Sequence, residues 1–202
     1  MKKRNVVGAG SAKMAIVTAD DVTSLCFVCV RLRSVWIHYQ ALFGIDIPSR
    51  DHLGVAPTFF EDVHYALMMF LIVFVCSITD TEEAIGGKKN LSLKFILQNS
   101  DFSQNPHDLT EVTRLSDRIH TFRQKLVPAR NKLMSHLDLE TMRQGKPLGG
   151  VPPSEWNEFW LDLQDLLYIL HKHYVDKNGN FYLNAVGQLS DAQQLIQALK
   201  TT

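Results

Sequence analysis

Glu111-Val112-Thr113-Arg114-Leu115-Ser116-Asp117-Arg118-Ile119-His120-Thr121-Phe122-Arg123-Gln124-Lys125-Leu126 is the most regular stretch of this 202-residue chain. Val112, Leu115, Ile119, Phe122 and Leu126 alternate spacings of three and four. That rhythm puts all five along one face of a helix, because about 3.6 residues complete a turn. Arg114, Arg118 and Lys125 fall near a second line, within about 40° of each other at about 100° per residue. The stretch therefore reads as an amphipathic helix with a buried apolar stripe and a basic line.

The same spacing recurs on both sides. Leu25, Val28, Leu32, Val35, Trp36, Tyr39 and Phe43 predict a first helix, from cap candidates Asp20 and Asp21 through Leu42, ending at Gly44. Residues 45–57 read as a connecting loop. Pro57 and Thr58 open a second, strongly apolar helix to about Ile78, and Asn90 is expected to cap a short one, Leu91 to Gln98. Pro128 should interrupt or kink the helix that carries the opening stripe, with helical character resuming through Leu137. Residues 144–153 form a glycine- and proline-rich loop. Ser154-Glu155 then opens a helix containing Trp156, Phe159, Trp160, Leu163, Leu166, Leu167 and Leu170, and Ser190-Asp191 caps a terminal one. Strand signals are nearly absent. The expected fold is all-α: an up-and-down bundle of four to five main helices, with a short C-terminal helix. The chain divides into a flexible tail over 1–17, the bundle over 18–176 and an extension over 177–202.

Lys plus Arg equal Asp plus Glu, 21 each, which excludes a basic protein that coats nucleic acid generally. The balance hides alternation. Residues 1–60 carry seven bases and four acids, 61–110 three and seven, 111–150 eight and four, and 151–202 three and six. The largest positive excess, +4, thus falls on the segment that holds the opening helix. Its line of Arg114, Arg118 and Lys125, with Lys132 beyond, could follow an RNA phosphate backbone or simply be a solvated face.

Cys26, Cys29 and Cys76 are an odd count in apolar surroundings, which fits buried, reduced thiols and a cytoplasmic setting. Cys26-Phe27-Val28-Cys29 has the spacing of a metal pair but no second pair to complete it. Val63 to Thr79 contains no formal charge. It is short for a span and follows Glu61-Asp62, so a central helix of a soluble bundle is expected, and no membrane partner. His171 and His173 end an aromatic-rich helix, and His38, His64 and His120 show no ligand pattern. No glycine-rich phosphate loop and no nucleophile elbow occur.

One constellation carries chemistry. Arg130 lies eighteen residues, five turns, after Val112 and so returns to the phase of the buried stripe. An arginine on such a line must pair, or face an interface or ligand. Arg130-Asn131-Lys132-Leu133-Met134-Ser135-His136 sets a cation, an amide and an imidazole within two turns. Arg130-Asn131 with His136 resembles the Arg-x(4–6)-His motif of the HEPN superfamily. Leu32 to Gly44, Ser77-Ile78-Thr79-Asp80, Gly87 to Leu97 and His136-Leu137-Asp138 are similar, in the same order, to its abortive-infection, AbiU-type branch. The loose motif also fits Arg31 or Arg33 with His38, and Arg114 with His120. Asn131, the apolar phase of Arg130, the following Asp138 and the local positive charge set Arg130/His136 apart.

The resemblance implies a HEPN-like bundle acting as a metal-independent endoribonuclease of phage-defence or toxin type. It would work as a homodimer on an RNA substrate, with no cofactor and with an antitoxin protein as a further partner. RNA cleavage of this kind needs a base for the 2′-hydroxyl, an acid for the leaving 5′-oxygen and cations at the phosphate. His136 has the appropriate chemistry for proton transfer, and Arg130 offers a bidentate phosphate donor. Six residues separate them by about 120° around a helix, so a two-fold dimer is needed to bring two pairs into one cleft. Asn131 would fix the imidazole or bond RNA, and Asp138 would orient a histidine. Two simpler roles stand beside these: His136 as a helix C-terminal cation, and Arg130 paired with Asp138, Glu158 or Asp162. The competing class is a non-catalytic helical dimer that binds a partner protein or nucleotide.

Overall fold

The computed structural model describes residues 17–44, 50–81, 89–135, 151–184 and 188–200. Among these residues seven helices follow in order: α1 (Ala19–Phe43), α2 (Asp51–Val55), α3 (Pro57–Ile78), α4 (Leu93–Gln98), α5 (Pro106–Ser135), α6 (Pro153–Tyr174) and α7 (Gln188–Lys200). Among the described residues there is no β-strand, so the all-α expectation holds.

Local chemistry sets the ends. α1 begins earlier than its two aspartates suggested, because Thr18 is the cap. The Asp21 N–H donates to Thr18 Oγ1 at 3.2 Å, and the Thr18 N–H donates to the Asp21 carboxylate at 2.9 Å. Two otherwise unpaired donors are satisfied by this reciprocal pair. At the other end the Gly44 N–H donates to the Gln40 carbonyl at 2.9 Å. A Cβ at position 44 would sit 2.4 Å from that carbonyl oxygen, so a bulkier residue would disrupt the cap. Ser92, not Asn90, caps α4, with Ser92 Oγ accepting from the Phe95 N–H at 3.2 Å. The expected loop over 45–57 contains the short α2.

Pro128 neither ends nor interrupts α5, which runs continuously to Ser135. The ring lies on the exposed side of the helix, where water can reach the carbonyl it leaves without an N–H.

The four long helices form a ring, α1 against α3 and α6, and α5 against α3 and α6. Val112, Leu115, Ile119, Phe122 and Leu126 are all buried in it, joined by Ala129. Aromatic rings lock the register. Trp36 of α1 stacks on Trp156 of α6 at 4.7 Å, and Phe122 of α5 stacks on Phe159 of α6 at 4.6 Å. Such pairs add to an area-driven core, where truncating a buried Phe costs about 3–5 kcal/mol. With this stripe inward, the phase of α5 is fixed. Arg118 and Lys125 turn toward α6, while Arg123 and Arg130 turn toward the end of α3.

α3 differs from the expected central helix. Phe60, Leu71, Ile72, Val75, Cys76 and Ile78 face the core, but Phe59, Tyr65 and Phe74 are exposed. It is one helix long and apolar enough to cross a membrane by length and composition, with 28% of its most apolar window buried. α7 packs against α1 and α2. Cys26, Cys29 and Cys76 are free and buried, as expected. Burial pushes the Cys26 thiol up to about 12 and the Cys29 thiol higher, so both stay protonated and inert.

Candidate functional site

α5 carries the basic residues of the richest segment, and the bundle sorts them onto two sides. On the α6 side every cation has an acid. Arg114 makes two bonds to Glu111, 2.6 and 3.0 Å long. Arg118 Nε lies 3.0 Å from Asp162 and a further nitrogen 4.0 Å from Glu158. Lys125 Nζ lies 2.5 Å from Glu155. Arg118, Lys125 and these α6 carboxylates line a surface cavity of about 410 Å³. Asp162 is the buried member, and burial raises its pKa against the opposing pull of Arg118 and then Arg114. Of the predicted RNA-binding residues, Arg114, Arg118 and Lys125 are thus each paired with a carboxylate, which a phosphate there would have to displace.

On the α3 side the arrangement is different. Arg123 and Arg130 are seven residues apart, two turns, and so share one face of α5. Both reach Asp80, just past the end of α3: Arg123 at 3.1 Å from Oδ1 and Arg130 at 3.7 Å from Oδ2. Arg123 is largely buried, its side chain 14% exposed, and its Nε has no acceptor among the described residues. Arg130 is 30% exposed. Two guanidinium groups on one carboxylate leave a net positive charge. Cys76, one turn before Asp80, feels the cluster: burial raises its thiol pKa, the two arginines oppose that, and Asp80 adds to it.

Arg130 does pair with an acid, as its simpler role had it, but the described partner is Asp80 rather than Glu158 or Asp162. Asp80 appeared in the sequence only within a stretch of family resemblance, with no role. Arg123 was not singled out at all, although its two-turn offset from Arg130 was readable. Asn131 is exposed on α5, next to Arg130. The Lys132 side chain, His136 and Asp138 lie outside the described residues, so the Arg130–His136 geometry is a matter for experiment.

Of the rival motif pairs, Arg33 Nη1 and His38 Nε2 are buried with no hydrogen-bond partner among the described residues. Arg33 lies over the Trp160 ring at 5.1 Å, a cation–π contact in the core wall. His120 is hydrogen-bonded to Gln124 at 2.9 Å while Arg114 is held by Glu111. His64 bonds the Tyr39 hydroxyl at 3.0 Å, His171 stacks on Phe181 and His173 packs on Phe102. Among the described residues no group of three His, Cys, Asp or Glu side chains is placed to hold a metal ion.

No curated protein and no solved structure matches this chain. A family model does, described as AbiU2 of the HEPN type, and it aligns with residues 19–192. That alignment takes in the whole ring of helices, the Asp80–Arg123–Arg130 cluster and His136, and it runs on well past His136-Leu137-Asp138, the last stretch that carried the resemblance in the sequence. The chain belongs to the HEPN-type abortive-infection AbiU2 family.

Proposed function

We propose that this protein is a metal-independent endoribonuclease that acts as a homodimer, with Arg130 and His136 as its reacting pair. The observation that carries the reading is the state of Arg130. It sits on a core-facing helical line, yet is partly exposed and only loosely held, 3.7 Å from a carboxylate it shares with Arg123. Arg118 and Lys125, in contrast, each meet a carboxylate at 3.0 Å or less. Arg130 keeps donors for a phosphate in a chain whose family is associated with abortive infection.

In the proposed reaction a neutral His136 takes the 2′-hydroxyl proton as that oxygen attacks phosphorus. The bond to the 5′-oxygen breaks, and the partner protomer's protonated copy of the same histidine supplies the leaving group's proton. Arg130 stabilises the charge that builds on the phosphate, and Asn131 orients the imidazole or the RNA. The products are a 2′,3′-cyclic phosphate and a 5′-hydroxyl. Asp80 sets the direction of Arg130.

The test is cleavage of a mixed RNA in EDTA, with end-group analysis and a sedimentation measurement of the dimer. Cyclic phosphate ends that disappear in a folded His136→Ala variant support the reading; cleavage unchanged by that substitution sinks the site assignment. The non-catalytic alternative predicts no cleavage by the wild-type protein at any concentration. Recovery of the protein without detergent separates both readings from a membrane role for α3.

A further inference from the structure

Beside the Asp80 cluster lies a separate cavity of about 230 Å³, lined by Thr79, Thr81, Lys94, Asp117, His120 and Arg123 among others. It is built by three elements that meet only in the fold: the turn after α3, the start of α4, and the α5 face about two to four turns before Arg130. We propose that this cavity is a second phosphate subsite, which holds the RNA backbone beside the phosphate at Arg130. The inference rests on the ribonuclease reading for its RNA ligand, though not for its phosphate chemistry.

Four observations carry it. Arg123 belongs to both places, since it lines the cavity and shares the Asp80 carboxylate with Arg130. Its guanidinium has five N–H donors and a single described bond, 3.1 Å to Asp80, so donors remain for an anion. Lys94 is exposed at the mouth and has no ion pair among the described residues, unlike Arg114, Arg118 and Lys125. Finally, the charged lining of the cavity is Lys94 and Arg123 against the single carboxylate of Asp117, beside the Ser116 and Thr81 hydroxyls and the His120 imidazole. Such a mixture of one partly buried guanidinium, one mobile ammonium and short hydroxyls suits a tetrahedral oxyanion better than an apolar or cationic ligand.

The positions also make mechanical sense. His120, Arg123 and Arg130 lie along one face of α5 over ten residues, about 15 Å of helix. A chain entering at Lys94 and leaving at Arg130 would be held at two phosphates. Two-point holding fixes the reacting phosphate in line with its 2′-hydroxyl more firmly than one contact can.

The experiment has two arms. In the first, inorganic phosphate is titrated into the whole protein while the His120 ring signals are followed by NMR. A saturable shift is expected, with affinity weakened several-fold in Lys94→Gln, which removes one charged donor to the anion. A shift that does not saturate, or that Lys94→Gln leaves unchanged, overturns the subsite. In the second arm, kcat/KM is compared for an octanucleotide and a dinucleotide RNA. The advantage of the longer substrate should fall by a similar factor in Lys94→Gln; an unchanged ratio overturns the subsite as an RNA site and leaves the ribonuclease reading standing. A saturable phosphate response in a protein that cleaves no RNA keeps the subsite and removes the ribonuclease reading.

Discussion

The two sides of α5 carry similar numbers of cations and treat them in opposite ways. Toward α6, Arg114, Arg118 and Lys125 each have a carboxylate within 3.0 Å. Toward α3, Arg123 and Arg130 divide a single Asp80, and Lys94 nearby has no described ion pair. One helix therefore carries both a salt-bridged wall and a side where two arginines share one acid. Counting charge along the segment, +4 over residues 111–150, could not distinguish the two. Pairing decides whether a cation is available, because an ion already held by a carboxylate must lose that partner before it gains a phosphate.

The largest expected difference between the sides is catalytic. Arg130→Ala should lower kcat on RNA about 10²- to 10³-fold, the usual effect of removing one donor to a developing oxyanion, with circular dichroism unchanged. Lys125→Gln should leave kcat within a few-fold. Equal losses in the two variants would break the comparison outright.

Next in size is stability at the shared carboxylate. Asp80→Asn removes the counter-charge of a largely buried Arg123 and should destabilise the protein by about 1–3 kcal/mol in urea unfolding. On the α6 side, Lys125→Gln breaks a pair about half exposed at its cationic end and should cost only about 0.2–1 kcal/mol, vanishing at 1 M salt. A cost for Lys125→Gln as large as that for Asp80→Asn would mean that pairing, not burial, sets these energies.

The smallest effect concerns pH. Burial raises the Asp162 pKa above its ordinary 3.8, with Arg118 and Arg114 opposing. The folded state thus holds that proton more tightly than the unfolded chain, so stability should fall as pH rises just above 3.8 through the raised value. Asp162→Asn should flatten that slope, read as Tm against pH. A slope unchanged in the variant assigns it to another carboxylate.

Most of the bundle could be read directly. The three-and-four spacing from Val112 to Leu126 marked a face that is buried at every position. Pro57 and Ile78 were read as the limits of the apolar helix and are those of α3. Boundaries set by side-chain caps were harder. Thr18 and Ser92 displaced the expected caps because several polar residues near a helix start can accept its N–H groups, and only the backbone geometry selects one. Pro128 misled for a related reason: a proline stops a helix where its neighbours cannot compensate, and here packing of Leu126 and Ala129 carries the helix past an exposed ring. α3 differed in another way: Phe59, Tyr65 and Phe74 lie on its exposed side, beside Glu61, Asp62 and His64.

By itself the sequence determined the helical class, the buried stripe, the inert cysteines and the phase that singled out Arg130, because all four follow from local periodicity and composition. The family followed from the residues around Arg130 and His136 together with the stretches ahead of them. Apart from the local pair of Arg114 with Glu111 on α5, only the tertiary structure decided which acid each cation meets. Asp80 is fifty residues from Arg130 and forty-three from Arg123 in the chain. Their meeting depends on α3 and α5 lying side by side with α5 held in one rotational phase by the aromatic contacts to α6. Ion pairing is short-ranged and long-distance in sequence, so a linear reading finds the charges while the packing of helices assigns their partners.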